Sequence, residues 1–550
     1  MKKGWLGSGD REQWGYYVAL LIIFLSWFLL LGRVFDLMVI RGSYFFRLAQ
    51  SNKVREEEIP ALRGRILDRK GRVLAQSRWW FWKSEEETEA WLDEYDPLRW
   101  QGEGEEVKVV RRYPFGEALV SVSGYVGLVN SQQGEQEYCG GKIGGEQILG
   151  KTGVEKSQDC RLLGKNGKRL LEVDALGKVV RELGRVAPRS GEDISLTIDA
   201  FWQKKLYELL EGRQGAGVVL EVESGKVLAL VSSPSFDPNR FVYIKDDWYV
   251  GEVLENNRDF PMLNRAIAAQ YHPGSVFKPV VALAGLASGK IDESTLVEDT
   301  GVIRVGEYAY RNWLFSKSGG TEGMVDLVKG LQRSNDIFFY KAGEYTGVEN
   351  IEKWARYLGF GEKTGIELSG EEAGVVPGPE WKQRVKGEPW YLGNTYHLSI
   401  GQGDLEVTAL QMAAMTVAIA NGGKYCSPRL IEGGEIPCRD LGIVAGQLGL
   451  VQEGMRRACE TGGTAWPLFG LDEALACKTG TAEVGDGSDD THAWLTAYGP
   501  VNNPEVAITV VLERGGEGSD EAAPIVGKWW EAWRGVEVSK VVERVKSEGD

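Results

Sequence analysis

Histidine is scarce in this sequence, and basic residues are outnumbered by acidic ones. Only three histidines occur in 550 residues, His272, His397 and His492. They are scattered along the chain and offer no ligand cluster, so we predict no metal site. The net charge of -15 also argues against a nucleic-acid-binding surface, because neutralising phosphates requires clustered Lys and Arg.

The sequence contains the letters of a phosphate-binding loop but lacks the context that such a loop needs. In GGEQILGKTG, residues 144–153, Gly145, Gly150, Lys151 and Thr152 have the spacing of a P-loop. That loop binds phosphate where an apolar strand enters it and a helix leaves it. The residues before this stretch are polar and glycine-rich, and further glycine and lysine follow it. We therefore expect a structural turn here.

One long hydrophobic run stands near the start of the chain. From Gln13 to Gly32 there are 20 residues without a charge, with Trp14, Tyr16 and Tyr17 at one end. This length suits a helix that crosses the hydrocarbon core of a bilayer, and the aromatic residues suit its interface. No small-residue cleavage site follows, which favours an uncleaved anchor over a signal peptide. The flanking positive charges are nearly balanced and leave the orientation open.

Six cysteines follow the anchor. A large body and six cysteines indicate that this body lies outside the cytoplasm, where disulfides form. The sequence neighbours are Cys139 with Cys160, Cys426 with Cys438, and Cys459 with Cys477. Sequence alone cannot select a pairing among six cysteines, and six buried thiols are an equal alternative to three bridges.

The pattern of the sequence changes near residue 193. Before it, short apolar segments alternate with Gly-Lys turns, which predicts an extended, strand-rich spacer. After it, the apolar segments Gly217–Val222 and Lys226–Ser232 flank a Glu-Ser-Gly turn and predict an antiparallel hairpin. Helical patterns dominate from about Pro279 to Asn421, and three strands lie between Glu473 and Gly515. Strand segments thus precede and follow a helical stretch in the sequence, which predicts an α+β domain.

The first candidate catalytic pair is Ser275 and Lys278, in AAQYHPGSVFKPVVALAGL. The two residues stand three apart where an apolar helix begins, so we expect their side chains on one face, within reach of each other. At a helix start the backbone N–H of the serine can face a developing oxyanion. A buried lysine with a lowered pKa can accept the serine proton.

The second element is the run Ser334, Asn335 and Asp336 at the start of an aromatic helical segment. By itself Ser-x-Asp has little specificity, and a structural alternative is that Ser334 caps the helix. The third element is Lys478, Thr479, Gly480 and Thr481, which ends an apolar strand. Side chains alternate on a strand, and glycine at position 480 permits close approach of another backbone or a ligand.

In this order on one domain, Ser-x-x-Lys, Ser-x-Asp and Lys-Thr-Gly-Thr form a specific set. The sequence resembles the class B penicillin-binding proteins, and nearly the whole chain takes part. The segments that carry the resemblance include RGRILDRKGRVLA, SGKVLALVSSPSFDPN, NRAIAAQYHPGSVFKP, LGFGEKTGIELSGE, LSIGQGDLEVTALQMA and CKTGTAEV. Asp336, where Asn is frequent, indicates the elongation-type penicillin-binding protein 2 branch. Cys477 departs from the pattern, since a glycine commonly precedes Lys-Thr-Gly.

The resemblance implies D,D-transpeptidation of peptidoglycan, with no metal and no organic cofactor. Ser275 is expected to attack the D-Ala-D-Ala carbonyl, with Lys278 as general base. Ser334 with Lys478 nearby is expected to protonate the leaving amine, and Asp336 to orient Lys278 or the substrate amide. The remaining expected roles are the oxyanion hole, formed by the backbone N–H groups of Ser275 and Thr481, and substrate binding by Thr479, Gly480, Thr481 and Asn335.

The same resemblance implies a set of domains and partners. A transpeptidase domain of the penicillin-binding and serine β-lactamase-like fold is expected on a pedestal domain with an N-terminal transmembrane helix. The expected partners are peptidoglycan stem peptides, β-lactam antibiotics, the lipid bilayer and a membrane glycosyltransferase of the SEDS family, at the plasma (inner) membrane with the catalytic domain outside. The expected segments are a short cytoplasmic tail (1–12), the transmembrane helix (13–32), the pedestal (33–193), the transpeptidase domain (194–535) and a charged tail (536–550).

Two rival functions share these motifs. A β-lactam hydrolase or β-lactam sensor shares these motifs, but a secreted hydrolase needs neither an anchor nor a long spacer that reaches from the membrane to the cell wall. A scaffold with an idle site is the other rival, and the intact set of Ser275, Lys278, Ser334 and Lys478 argues against it.

Overall fold

The computed structural model describes residues 8–51, 53–83, 88–92, 105–128, 136–139, 141–143, 148–174, 178–242, 247–255, 258–434 and 437–547. The helices, numbered in chain order, are α1 Ser8–Phe35, α2 Gly42–Ser51, α3 Val120–Ser123, α4 Gly153–Ser157, α5 Asp159–Leu162, α6 Ala200–Leu210, α7 Asn239–Val242, α8 Asp247–Glu255, α9 Lys278–Ala287, α10 Trp313–Ser318, α11 Leu327–Gln332, α12 Asp336–Thr346, α13 Val348–Tyr357, α14 Pro379–Lys386, α15 Leu392–Ser399, α16 Ala409–Ala420, α17 Ala445–Ala458 and α18 Ala522–Ser547.

The strands are β1 Val54–Ile59, β2 Ile66–Leu67, β3 Val73–Lys83, β4 Thr88–Leu92, β5 Glu105–Arg112, β6 Val126–Leu128, β7 Gln136–Tyr138, β8 Gly141–Ile143, β9 Ile148–Gly150, β10 Gly167–Val173, β11 Val179–Val186, β12 Ile194–Ser195, β13 Gly215–Glu221, β14 Val227–Ser233, β15 Val297–Asp299, β16 Val302–Val305, β17 Tyr308–Arg311, β18 Gly323–Val325, β19 Lys424–Cys426, β20 Cys438–Asp440, β21 Ala476–Glu483, β22 Thr491–Gly499 and β23 Val506–Leu512. The chain divides into two compact units.

The first unit comprises the described residues up to Leu62 together with Gly164–Ser190. Its N-terminal helix is apolar and long enough to cross a membrane over Gln13–Ile40, a longer segment than the 20 residues expected from the sequence. Just beyond Gly32, Arg33 and Asp36 form an ion pair of 3.0 Å one helical turn apart. The unit also contains a three-stranded antiparallel sheet in the order β1-β10-β11.

The second unit, Arg63–Leu163 with the chain from Gly191 onward, begins with a strand-rich region. Its sheet has the order β12-β2-β3-β4, and β5 also pairs with β3. Glu155, in helix α4 of this region, is completely buried. It accepts hydrogen bonds from Arg63 Nε at 2.5 Å and from Arg111 Nε at 2.7 Å. Bonds from two guanidinium groups satisfy a carboxylate that burial alone would destabilise. The predicted strand-rich character of the spacer is confirmed here.

The P-loop-like stretch does not have the surroundings of a phosphate site. Gly145 lies outside the described residues, and Gly150 ends the three-residue strand β9. Lys151 Nζ donates to the backbone carbonyl of Leu128 at 2.7 Å, and the helix that follows, α4, has only five residues. Such contacts are those of a structural turn, as the sequence context suggested.

The catalytic region is built on a five-stranded antiparallel sheet in the order β14-β13-β23-β22-β21. Alternate residues of its strands enter two separate cores, as Val218 and Val219 on β13 illustrate. One core contains α9, α12 and α16, and the other contains α6 and α18. The predicted hairpin and the three C-terminal strands are therefore confirmed, and helices cover both faces of the sheet. Helix α18 continues to Ser547, through the segment expected to be a charged tail.

Three disulfides join Cys139 to Cys160, Cys426 to Cys438, and Cys459 to Cys477. The pairing that the sequence left open is thus between sequence neighbours. The last of the three connects the end of α17 to β21, at the residue immediately before Lys478. Cys477, the departure from the family pattern, therefore anchors the strand that carries the third motif.

Candidate active site

Ser275 lies in a 3-10 turn, Gly274–Phe277, directly before α9. The sequence predicted that Ser275 itself begins an α-helix, whereas the α-helix starts at Lys278. Gly274 has a φ of 58°, and a Cβ there would meet the backbone oxygen of Thr481 at 2.9 Å. Glycine at this position therefore lets the turn pack directly against β21. The backbone N–H of Ser275 donates to no group of the described residues.

Lys278 is completely buried beneath this turn. Its Nζ donates to the backbone oxygen of Ser334 at 2.7 Å, to Asp336 Oδ1 at 2.7 Å and to Ser334 Oγ at 3.2 Å. Ser275 Oγ makes no hydrogen bond with the described residues, so Lys278 is held by the second motif and not by its partner in the first. Burial lowers the pKa of the Lys278 amine, although the Asp336 carboxylate acts in the opposite direction.

Ser334 connects two lysines. It has a φ of 54°, unusual for a residue other than glycine, and its Oγ lies 2.8 Å from Lys478 Nζ as well as 3.2 Å from Lys278 Nζ. The alternative that Ser334 caps α12 is wrong, because Asn335 is the N-cap and its side chain accepts from the Phe338 N–H. The backbone conformation of Ser334 instead places its hydroxyl between the amines.

Lys478 is the second completely buried amine. Besides Ser334 Oγ, its Nζ donates to the backbone oxygen of Thr479 at 2.9 Å. Burial holds the pKa of Lys478 well below its usual range, the positive charge of Lys278 lowers it further, and Asp336 partly offsets both effects. Burial thus shifts both lysines toward the neutral amine, the form that can accept a proton or relay one.

The edge strand β21 forms one wall of an open groove of about 1060 Å³. A Cβ at Gly480 would meet the backbone oxygen of Pro273 at 2.9 Å, so glycine allows the Ser275 turn and the strand to touch. The Thr479 hydroxyl bonds to the Thr464 hydroxyl at 2.7 Å. The sequence-predicted residues that line the groove are Ser275, Ser334, Asp336, Thr479, Gly480 and Thr481.

Asn335 was expected to bind substrate, but it lies where its side chain contacts only other residues of the protein. It is completely buried, its Oδ1 caps α12, and its Nδ2 donates to Asp299 Oδ2 at 2.9 Å and Glu322 Oε2 at 3.1 Å. It does not line the groove. Both ends of its amide are engaged by the protein, so its contacts are those of a residue that fixes the Ser334 loop.

No sequence motif predicted the polar network beneath this loop. Asp299 is buried, and its Oδ2 accepts from Asn312 Nδ2 at 2.9 Å, Asn335 Nδ2 at 2.9 Å and the Glu322 N–H at 3.0 Å. Asn312 Oδ1 in turn accepts from the Asp336 N–H at 3.2 Å. The Trp313 N–H donates to Asp336 Oδ2 at 2.9 Å. These contacts hold the carboxylate that contacts Lys278. Among the described residues no group of three or more His, Cys, Asp or Glu side chains could bind a metal ion.

Removal of the Asp299 carboxylate is expected to destabilise the protein strongly. In Asp299→Ala the buried donors of Asn312, Asn335 and Glu322 lose their common acceptor, at a cost of about 3 to 5 kcal/mol of the free energy of unfolding. Chemical denaturation followed by tryptophan fluorescence measures this cost. As a control, Asp292→Ala removes an exposed carboxylate that accepts from the Ser294 N–H, and its cost is expected to be far smaller. Equal costs for the two variants would contradict the buried network.

Two family models match the chain. The penicillin binding protein transpeptidase domain covers residues 215–531, and the penicillin-binding protein dimerisation domain covers residues 96–196. The first match includes Ser275, Ser334 and Lys478 and extends over more than half of the chain.

Curated and solved proteins agree with the family models. Peptidoglycan D,D-transpeptidase MrdA of Escherichia coli is 36% identical over 449 residues, which are 76% of this chain and 70% of that protein. The complex of penicillin-binding protein PBP2 with MreC from Helicobacter pylori has a TM-score of 0.74 at 30% identity, over 88% of this chain and 99% of that one. A peptidoglycan synthase complex that coordinates polymerization and crosslinking has a TM-score of 0.76 at 30% identity, over 96% of this chain and 99% of that one. The expected fold and the expected branch are thereby confirmed: the chain belongs to the penicillin-binding transpeptidases, in the PBP2 group.

Proposed function

We propose that this chain cross-links peptidoglycan by D,D-transpeptidation through an acyl-enzyme on Ser275, in cell-wall elongation and the maintenance of cell shape. The observation that carries this proposal is the position of Ser334 Oγ, bonded by two buried amines on the wall of the groove that Ser275 also lines. The family and its relatives named D,D-transpeptidase support the same reaction. β-Lactams, which resemble the D-Ala-D-Ala end, acylate the same serine.

Acylation uses Lys278 as the general base. Ser275 Oγ attacks the carbonyl carbon of the penultimate D-Ala while its proton passes to the neutral Lys278 amine. The C–N bond to the terminal D-Ala breaks, and the proton reaches the leaving nitrogen through Ser334 Oγ, which Lys278 and Lys478 both contact. The acceptor amine of a second stem peptide then attacks the ester, and the released oxygen of Ser275 regains a proton.

Substrate is held along β21. The oxyanion is stabilised by the backbone N–H groups of Ser275 and Thr481, each worth about 3 to 4 kcal/mol. The close packing of Gly274 against the backbone oxygen of Thr481 supports this pair of donors. The hydroxyls of Thr479 and Thr481 bind the terminal carboxylate. Asn335 supports the loop beneath and has no contact with substrate in this scheme.

Incubation with a penicillin, followed by intact-mass analysis, tests the nucleophile and the base. We expect one covalent adduct per chain, absent in Ser275→Ala. Lys278→Ala is expected to slow adduct formation by about 100- to 10,000-fold, because the general base is lost. Lys290→Ala, an exposed lysine just beyond α9, is the matched control and should acylate like the unaltered chain. Full acylation of Lys278→Ala at neutral pH would rule out this base.

The same experiment separates the rival functions. A stable adduct favours the transpeptidase, since deacylation is then slow in the absence of an acceptor. Consumption of the antibiotic without an adduct would favour a β-lactam hydrolase, and an intact antibiotic with no adduct would favour a scaffold.

Asp336 sets the pH dependence of acylation through Lys278. Its carboxylate stabilises the charged amine and therefore raises the pKa of Lys278, against the larger effect of burial. In Asp336→Asn that stabilisation is lost, so the pKa of Lys278 falls and the acidic limb of the acylation-rate profile moves to lower pH. The maximal rate also falls because Lys278 loses a partner at 2.7 Å. Rate profiles between about pH 5 and 9 measure both effects, with Asp292→Asn as the exposed control. A limb that stays or moves upward refutes this role.

The proposed membrane location and membrane partner rest on the N-terminal apolar helix and on the similarity to the relatives. We propose the domain boundaries 33–193 for the pedestal and 194–535 for the catalytic domain, in a single-pass protein of the plasma (inner) membrane. A membrane glycosyltransferase of the SEDS family is the proposed partner, since a peptidoglycan synthase complex that coordinates polymerization and crosslinking matches 96% of the chain. Copurification tests this partner. The polymerase should copurify with the full chain and should be lost when residues 13–40 are replaced.

Disulfide formation in the cell tests the orientation. A body outside the cytoplasm should contain all three bridges, so rapid alkylation of whole cells followed by mass analysis should find no modified cysteine. Six alkylated thiols would place the body in the cytoplasm and contradict the proposed topology.

A further inference from the structure

Both threonine hydroxyls of the third motif are hydrogen-bonded to a group outside that motif. Thr481 Oγ1 accepts from the Gly518 N–H at 3.3 Å. Thr479 Oγ1 lies 2.7 Å from Thr464 Oγ1. Thr464 lines the groove together with Ser275 and the two motif threonines, but it has no role in the reaction described above. The direction of these two hydrogen bonds determines what the motif threonines can offer to a substrate.

The bond from Gly518 leaves the Thr481 hydroxyl free to donate. A backbone N–H can only donate, so the Thr481 oxygen accepts here and its own proton is available to another acceptor. Glycine is needed for this approach, because a Cβ at position 518 would meet the backbone oxygens of Trp494 at 2.2 Å and of Gly480 at 2.3 Å. Thr481 is exposed on the groove wall, so it presents an O–H donor to a ligand in the groove.

The pair formed by Thr464 and Thr479 presents one further donor. Two hydroxyls 2.7 Å apart use one proton in their common hydrogen bond, so the pair keeps a second proton for another acceptor. Both residues line the groove, and a ligand in the groove can supply that acceptor. A hydroxyl that already accepts from a neighbour is polarised by it and donates more strongly. The pair therefore suits an acceptor that carries a negative charge.

The fold holds Thr464 firmly beside β21. The disulfide between Cys459 and Cys477 joins the end of α17 to β21, two residues before the threonine that Thr464 contacts. The Ala465 N–H, next in the chain, donates to the Ala458 carbonyl at 3.0 Å and closes the turn that contains Thr464. The hydroxyl of Thr464 is thus placed by a covalent link and a backbone hydrogen bond on either side of it.

We propose that Thr464 is a positioning residue for substrate. Its hydroxyl donates to Thr479 Oγ1, so that the Thr479 hydroxyl donates its own proton to the terminal carboxylate of the donor stem peptide. This inference rests on the proposed transpeptidase function, in which that carboxylate lies at Thr479 and Thr481. Two oriented hydroxyls then hold the carboxylate, one set by Thr464 and the other by the Gly518 N–H.

A penicillin and its methyl ester test this proposal on the full chain, because the two compounds differ only at the carboxylate. The measured quantity is the second-order rate constant of acylation of Ser275 by each compound. Thr464→Val removes the hydroxyl and should lower the rate constant of the penicillin about five- to 20-fold, but that of the ester by less than about twofold. The reason is that a hydrogen bond to a charged acceptor is stronger than one to a neutral acceptor. Thr464→Ser retains a hydroxyl and should restore the ratio of the two rate constants.

Two further variants complete this experiment. Thr461→Val is the matched control, since Thr461 is an exposed threonine of the same segment that does not line the groove, and it should leave the ratio unchanged. Thr479→Val should show the same selective loss as Thr464→Val. The double variant should lose no more than Thr479→Val alone, because Thr464 acts through Thr479.

Three results would overturn the assignment of Thr464. They are an unchanged ratio in Thr464→Val, an equal loss for the penicillin and its ester, and a double variant whose loss is the product of the two single losses. Thr464→Ala provides the same comparison if Thr464→Val does not fold. Failure of the penicillin to acylate the unaltered chain would instead overturn the proposed transpeptidase function, so the two failures are distinguishable.

Discussion

The catalytic arrangement depends on two buried amines that share one hydroxyl. Lys278 and Lys478 bond to Ser334 Oγ at 3.2 and 2.8 Å, so their nitrogens lie within about 6 Å of each other. Two positive charges at that separation repel by about 3 kcal/mol at an effective dielectric constant of about 20. Burial adds a desolvation cost for each charge, and only Asp336 compensates directly. The site therefore disfavours the state in which both amines are charged, and a neutral amine is the form that a general base requires.

This balance of charges depends on the position of the Asp336 carboxylate. Residues that are distant from Asp336 in the sequence hold it in place. Asp336 is held by the Trp313 N–H and by Asn312, and Asn312 and Asn335 are both bonded to the buried Asp299. The same contacts fix the left-handed backbone of Ser334, since Asn335 caps α12 immediately after it. The Ser334 hydroxyl and the Asp336 carboxylate are thus positioned by a polar network in which Asp299, Asn312 and Asn335 do not line the groove.

The sequence predicted those features that depend on local pattern. The apolar run of the anchor, the hairpin before α7 and the strand that ends in Lys-Thr-Gly each follow from spacing within about ten residues. The disulfide pairing did not follow, because six thiols can pair in many ways and only the folded chain selects one. The sequence also did not predict which residue caps α12. Ser334 and Asn335 are both good N-cap residues, and only the backbone conformation distinguishes them. Asp299 lies 36 residues before Asn335 in the sequence, and no local pattern links such a carboxylate to the loop it supports.

The state of the acids near Ser334 also bears on the choice between cross-linking and hydrolysis. A β-lactam hydrolase must activate water against the acyl-enzyme, and a free carboxylate or amine beside the ester is suited to this task. Asp336, the acid in contact with Lys278, has one oxygen bonded to the Lys278 amine and the other to the Trp313 N–H. Each oxygen therefore already accepts one hydrogen bond from the protein. The lysines and Ser334 remain the groups that can take a proton in the open groove, and under the proposed function they deprotonate the acceptor amine that resolves the acyl-enzyme.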